Sequence, residues 1–374
     1  IDKQVVKNIL SDLEISIIKE ENGILSLSVP PYRVDVTREV DVIEEVLRIY
    51  GFNTVKIPNK LNSSIISIDR INSFKLKTVI SNLLSSNGYN EIMNNSLTKE
   101  KYDGLDNDIN LKNNIKILNP LSADLNTLRR NLLFSGLETV EYNLNRKNNN
   151  IKFYEFGKSY LKDEAYIENQ HLSLIVTGNR NLENWNSQNN KTDFFYLKEV
   201  VHLILNRLGL KNYKIESKNN SLYSDCLQYN INNKTLVTFG LLDNKVTDLF
   251  NIKGSVYAAD FNWDLIIDLA KNQKTTYAPV NKYPKVRRDL SLLINNEVNF
   301  SDLQKIAKKI DNNILKSVDL FDVYTGDKLA KNKKSYALSF IFEDFSKTLT
   351  DKYIDIIMDK LIHEYINTVG AEIR

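Results

Sequence analysis

Residues 335–344, SYALSFIFED, alternate with the period of a strand: Tyr336, Leu338, Phe340 and Phe342 share one side, and Ser335, Ala337 and Ser339 the other. Outward from this stretch the periodicity switches repeatedly. Residues 286–294 (VRRDLSLLI) and 315–324 (LKSVDLFDVY) predict strands, and 301–310 a helix capped by Ser301. Residues 325–334 predict a loop, 350–369 a helix, and 371–373 a short last strand. The order is β-α-β-β-α-β, the split form of a ferredoxin-like sheet, with both helices on one face and the other face open. Two readings of the aromatic side stay open. Aromatics can stack unpaired bases while cations take phosphates, and the cations are at hand: Lys282, Lys285, Arg287 and Arg288 at the entry to the first strand, and Lys328, Lys331, Lys333 and Lys334 in one loop. Alternatively the aromatics face the helices as core and the lysines are solvated.

Upstream, residues 71–86 predict a helix (Phe74, Leu76, Val79, Ile80, Leu83, Leu84) ended by Gly88, followed by short strands at 91–97, 115–118 and 152–160. Asn119 and Pro120 break the chain, 124–130 form a charged turn or extended segment, and 132–145 is helical with Leu133, Leu137, Val140 and Leu144 at buried spacing. A strand at 172–177, a helix at 194–209 packing on a sheet, and strands at 214–216, 227–231, 236–242 and 255–261 complete a long antiparallel α+β segment. Boundaries are expected at Pro58 with the polar run 59–64, and at the proline-bearing 277–284. The expected domains are 1–58, 59–276 and 277–374.

Within the first of these, residues 3–13 predict a helix, 20–23 a hairpin turn and 24–29 a strand, a small helix-and-wing arrangement. Residues 29–51 then carry a second helix, entered through Pro30, Pro31 and a short strand at 32–36, capped by Thr37 and stopped by Gly51. Ile43, Val46, Leu47 and Tyr50 make its apolar stripe. Asp41, Glu44, Glu45 and Arg48 occupy the opposite face, and Asp35 can fold back to join them. That face reads either as a solvated exterior, with Arg48 pairing Glu44 and Glu45, or as an oxygen-rich site for a hard cation such as Mg2+. Spacing alone does not choose.

Composition excludes several classes. A formal net charge of +3 over 374 residues means that any nucleic-acid surface is a local patch. The single Cys226 rules out a disulfide framework and a cysteine zinc ribbon. No apolar run approaches the roughly 20 residues that span a bilayer, which points to a cytoplasmic protein. Only 12 glycines occur, and neither a GxGxxG nor a GxxxxGK[ST] pattern is present. His171, His202 and His363 are scattered, with no HExxH and no nucleophile elbow. The chain begins at Ile1 inside an amphipathic helix, as a piece of a longer polypeptide would.

The whole chain, in order, resembles the C-terminal half of the bacterial phenylalanyl-tRNA synthetase beta-subunit family. PPYRVDVTREVDVIEEVLRIYG resembles the end of its winged-helix-like B5 domain. LNPLSADLNTLRRNLL, KFYEFGKSY and FFYLKEVVHLIL resemble the class II catalytic-like antiparallel module. YPKVRRDLSLLI, LFDVYTG and TLTDKYIDIIMDKLIHEYINTVGAEIR resemble the ferredoxin-fold anticodon-binding domain. The resemblance implies an (αβ)2 heterotetramer that charges tRNA(Phe), with ATP and the active site on the alpha subunit and a scaffold role for this chain, Leu132 to Leu144 lying among the helices at the alpha interface. Arg129 and Arg130 sit where an active class II module grips ATP phosphate, but no glycine-rich, arginine-ended motif follows. The resemblance further implies Mg2+ at Asp35, Asp41, Glu44 and Glu45, and tRNA contact through the last domain, for which the basic and aromatic pattern nominates Arg287, Arg288, Tyr324 and Lys334. The family's N-terminal tRNA-binding and editing domains have no counterpart here. A self-sufficient RNA-binding or regulatory module is the alternative.

Overall fold

The computed structural model describes residues 1–374 except 58–59, 61–62, 64–71, 187, 272, 274–275, 312 and 327–328. Pro58 and most of the polar run behind it, the first residue of the helix expected from 71, and Lys328 therefore lie outside the described residues. The chain divides into two units, 1–72 and 73–374.

In the first unit, α1 (Lys3–Asp12) packs with a hairpin of β1 (Ser16–Glu21) and β2 (Ile24–Ser28), and α2 (Glu39–Tyr50) completes it. Asn22 and Gly23 take positive φ of 51° and 81°, the two-residue turn whose twist suits a hairpin. Ile9, Leu10, Leu13, Ile15 and Val46 form the core. Three expectations need correction. Residues 32–36 form consecutive turns, because Arg33 N–H donates to Pro30 O and Val36 N–H to Arg33 O in place of a strand ladder. The helix starts at Glu39 with Arg38 as its cap residue, not at Thr37. Ile43 is 48% exposed, so the buried stripe runs through Val42 and Val46 instead.

The second unit opens with α3 (Ser73–Ser86), β3 (Asn90–Glu91), β4 (Leu97–Thr98), α4 (Glu100–Asp103), β5 (Thr127–Leu128) and α5 (Leu133–Leu144). Next come β6 (Ile151–Lys162), β7 (Tyr166–Thr177), α6 (Phe194–Arg207), β8 (Lys214–Ser217), β9 (Tyr223–Ile231), β10 (Lys234–Leu242), α7 (Asn244–Asp248), β11 (Val256–Asn262) and α8 (Trp263–Ala270). A seven-stranded sheet runs β3-β6-β7-β11-β10-β9-β8, antiparallel except for the β3–β6 pair. Alternate residues of its central strands feed two cores. On one face Leu172, Leu174, Phe239 and Phe261 meet Ile80 of α3 and Val201, Ile204 and Leu205 of α6. On the other Ile175, Val256 and Ala258 meet Leu137 and Val140 of α5. The strand expected at 91–97 shrinks to two short pieces, and that at 115–118 to a single bridge between Lys116 and Thr127. Phe195, expected to pack, is 73% exposed.

The last region contains β12 (Val286–Asn295), α9 (Phe300–Ile310), β13 (Leu315–Tyr324), β14 (Lys333–Phe342), α10 (Asp351–Val369) and β15 (Glu372–Ile373), with sheet order β13-β14-β12-β15. This is the split ferredoxin-like arrangement. Leu338, Phe340 and Phe342 are fully buried against α9 and α10, so the aromatic side of β14 is core and not a base-stacking platform. Ile354, Ile357, Met358, Leu361 and Tyr365 recur at helical spacing down the buried side of α10, and the Tyr365 hydroxyl donates to Leu303 O at 3.1 Å, tying the two helices. Gly370 ends α10 at φ 62°, where a side chain would be strained. The α9 cap is Asn299, two residues before the expected Ser301.

Candidate nucleic-acid interface and acidic helix

Strand alternation decides which side chains reach the open face of the C-terminal sheet. Across β12, β14 and β13, Arg287 opposes Ile341 and Ser317, Asp289 opposes Ser339 and Asp319, and Ser291 opposes Ala337. Ser335 opposes Leu293 and Tyr324. The middle of the face is therefore low, with the Ser291 and Ser335 hydroxyls 3.4 Å apart, and taller side chains stand at its ends. At one end the Arg287 guanidinium lies 5.3 Å from the centre of the Phe321 ring, which is 54% exposed beside a bulge in β13. At the other, the Arg374 guanidinium lies 5.4 Å from the Tyr324 ring. Gly326 leaves room for that ring, since a Cβ there would come within 2.7 Å of the Tyr324 hydroxyl.

Of the four residues nominated for RNA contact, Arg287 and Tyr324 stand on this face and the other two do not. Arg288 points to the helix side, where its guanidinium pairs with Asp351 and, at 3.8 Å, with Asp355. Lys334 shares the side of Tyr336, lies 4.7 Å from that ring, and donates to Asn296 O. Phe321 and Arg374 escaped the sequence reading. Phe321 looked like one more apolar strand residue, but it shares the outward side with Ser317 and Asp319, next to the bulge between Leu320 and Asp322. The face is also less basic than expected: Asp289 and Asp319 occupy its centre, and Asp289 takes the Arg287 Nε–H at 2.8 Å. Carboxylates there repel phosphates and accept from base amino groups or 2′-hydroxyls. This chemistry suits single-stranded bases laid on the sheet, with the backbone held at the ends.

The acidic helix is arranged differently from a metal site. Asp41 reaches back over the first turn of α2, where its Oδ2 accepts the N–H groups of Arg38 and Thr37 at 2.8 and 3.1 Å, and its Oδ1 accepts Arg38 Nη2 at 3.0 Å. The guanidinium and backbone donors hold its carboxyl well below the ordinary range, at about 2. The turn after Pro30 brings Arg33 back to Glu45, whose Oε2 is 3.0 Å from Arg33 Nη1 and 2.7 Å from Arg48 Nη2. Arg48 foremost, with Arg33, depresses the Glu45 carboxyl too. Asp35 and Glu44 are exposed. The donor chemistry suits Mg2+, but the arrangement does not: arginines occupy two of the four carboxylates, and among the described residues no group of three or more His, Cys, Asp or Glu could hold a metal ion.

In the large sheet, Arg129 is 4% exposed and its partner Glu155 2%. Arg129 Nη1 lies 2.7 Å from Glu155 Oε1, and its Nε–H donates to Lys158 O at 2.9 Å. Glu155 also accepts the Asn94 side-chain amide at 2.8 Å. Gly157 makes room for the pair, since a Cβ there would stand 2.3 Å from Arg129 Nη2. Arg130 is bound to Asn114 Oδ1 at 3.0 Å. Arg129, paired with Glu155, is thereby withheld from any phosphate. Among the described residues no helix is long and apolar enough to cross a membrane.

Comparison with known families agrees with this architecture. The family model for the phenylalanyl tRNA synthetase beta chain CLM domain matches residues 57–263, the ferredoxin-fold anticodon binding domain matches 281–374, and the tRNA synthetase B5 domain matches 1–52. Similar curated proteins are phenylalanine–tRNA ligase beta subunits: that of Bacteroides fragilis strain YCH46 is 43% identical over 100% of this chain and 47% of its own length. The Bacteroides thetaiotaomicron protein is 41% identical (99% and 47%), and that of Porphyromonas gingivalis 38% identical (100% and 47%). The chain thus spans about half the length of the curated relatives it matches.

Proposed function

Since the chain belongs to the phenylalanyl-tRNA synthetase beta-chain family, we propose that it serves as the beta-subunit part of a phenylalanine–tRNA ligase. It seats a catalytic alpha subunit in an (αβ)2 heterotetramer in the cytoplasm and helps hold tRNA(Phe), while ATP and phenylalanine react on alpha. The observation that supports a scaffold over a catalyst is Arg129: a class II site needs a cation at the ATP phosphates, and here that arginine is buried against Glu155. Residues 1–58, 59–276 and 277–374 are proposed as the corresponding domains. The chain alone is expected to show no phenylalanine-dependent pyrophosphate exchange, and co-expression with a matching alpha subunit to yield a tetramer by mass and restore aminoacylation. Exchange by the chain alone would overturn the assignment, and tRNA affinity undiminished without alpha would favour a self-sufficient RNA-binding module.

The Mg2+ assignment to Asp35, Asp41, Glu44 and Glu45 is proposed for the assembled enzyme. Hosting the ion requires Asp41 to release Arg38, and Glu45 to release Arg33 or Arg48. Calorimetric titration of the chain with magnesium chloride is expected to show no saturable binding. The complex with alpha is expected to bind the ion, and to lose it in the Asp41→Ala, Glu44→Ala double variant. Saturable binding by the isolated chain, or binding by the complex that ignores the double variant, would count against this set.

A further inference from the structure

The outer side of α6 carries an open groove of about 480 Å³, lined by Phe195, Lys198, Glu199, His202, Leu203 and Asn206. These positions recur at steps of three and four, so they form one face of the helix, while Leu197, Val201, Ile204 and Leu205 fill the buried side. The outer face is apolar at both ends of the lysine's reach: Phe195 is 73% exposed and Leu203 37%.

Lys198 lies half-buried on this face and makes no ion pair among the described residues. Glu199, next in the chain, is turned about 100° from it around the helix axis, and neighbours so placed do not pair. One turn further on, His202 is fixed by Tyr229, its Nε2 and the hydroxyl sharing a hydrogen bond of 2.8 Å, and Tyr213 stacks on Tyr229 at 4.5 Å. The titratable groups around Lys198 are therefore Glu199 and His202 on its own helix and the two tyrosine hydroxyls from outside it. Burial first, and then the charge of Lys198, hold the His202 imidazole below its ordinary range. Burial also lowers the basicity of the Lys198 amine, with no carboxylate placed to restore it.

A lysine becomes a nucleophile near neutral pH when part of its amine is uncharged and a reagent can reach it. Half-burial among apolar walls supplies the first condition and the open groove the second. We propose that Lys198 is an acylation site, its amine taking the acyl group of a small activated donor lodged against Phe195 and Leu203. The amine lone pair attacks the acyl carbon, and the C–N bond forms as the C–O bond to a phosphate, or the C–S bond to a thiol, breaks. The phosphate or thiolate leaves with the electron pair, the amine proton passes to water, and nothing is oxidised or reduced. The product is a neutral amide, so the outer face of α6 loses one positive charge. The modification is independent of the scaffold reading and uses no residue of the RNA face.

The test treats the full 374-residue chain with acetyl phosphate in one arm and acetyl-coenzyme A in the other, at limiting reagent, and follows each lysine by peptide mass spectrometry. At about pH 7.5 Lys198 is expected to be acetylated roughly threefold or more faster than the exposed Lys211 and Lys214, and the arm with the larger lead identifies the donor. The lead should shrink as the pH nears the ordinary lysine range, about 10.4, where every amine is becoming uncharged. Phe195→Asp removes an apolar wall and puts a carboxylate three residues before Lys198. With folding confirmed by circular dichroism, it should abolish the lead while Lys211 and Lys214 react as before. Equal acetylation of the three lysines by both donors would overturn the proposal. So would a lead that persists in folded Phe195→Asp, or one that fails to shrink as the pH rises.

Discussion

Replacing Glu155 with alanine is expected to destabilise the unit 73–374 by about 3–5 kcal/mol, the usual cost of leaving a buried charge without its partner. Arg129 is nearly sealed from solvent, and its remaining contacts, the Lys158 carbonyl and the cradle over Gly157, do not neutralise it. The same change strips Asn94 of its acceptor, which adds to the loss. Denaturant unfolding followed by circular dichroism measures it, as a drop in midpoint with little change in slope. The control is the pair Arg129→Met, Glu155→Gln. Removing both charges should recover much of the stability, because the cost lies in the uncompensated cation more than in the lost attraction. A single variant within about 1 kcal/mol of wild type would mean that water reaches Arg129, and would reopen it as a phosphate ligand.

The second large effect is expected at Phe321. If bases lie on the open face of the C-terminal sheet, Phe321→Ala should weaken tRNA binding by about 1–3 kcal/mol, roughly 5- to 150-fold, while leaving the melting temperature nearly unchanged because the ring is 54% exposed. Arg287→Ala, which removes the cation over that ring, should produce a smaller loss in the same direction and reduce the salt dependence. Arg288→Ala makes the contrast. It should cost stability through its ties to Asp351 and Asp355 and leave the affinity of the folded protein unchanged. Filter binding at two ionic strengths distinguishes these cases. Affinity that follows Arg288 and ignores Phe321 would put the RNA on the helix side.

How much of this was legible in advance follows from the range of the interactions concerned. The C-terminal fold could be read because its strands and helices are each long enough to show their own period, and because β14 keeps its aromatic residues on one side only. Which side of β14 is core could not: period two groups Tyr336, Phe340 and Phe342 without saying what they face, and packing against α9 and α10 decides that. The acidic helix shows the same limit. Its carboxylates were correctly placed near one another in the chain, but spacing carries no sign of Arg33, returned to Glu45 by a turn, or of Asp41 folding back onto its own N-terminus. The short strands at 90–91 and 97–98 fell below the length at which alternation can be recognised at all.

Arg287 and Arg288 are neighbours in the chain and strangers in the fold, one over Phe321 on the outer face and the other held among the carboxylates of α10. A slip of β12 by one residue would exchange them, sending Arg287 toward the helices and lifting Arg288 away from Asp351 and Asp355. Burial of Leu290, Leu292 and Ile294 opposes that slip, and the ties of the inner arginine add to it, so the outer one keeps its aim. Insertions or deletions near 286–289 should thus be tolerated far less well than substitutions there, and position 287 on the open face can be varied without disturbing the register.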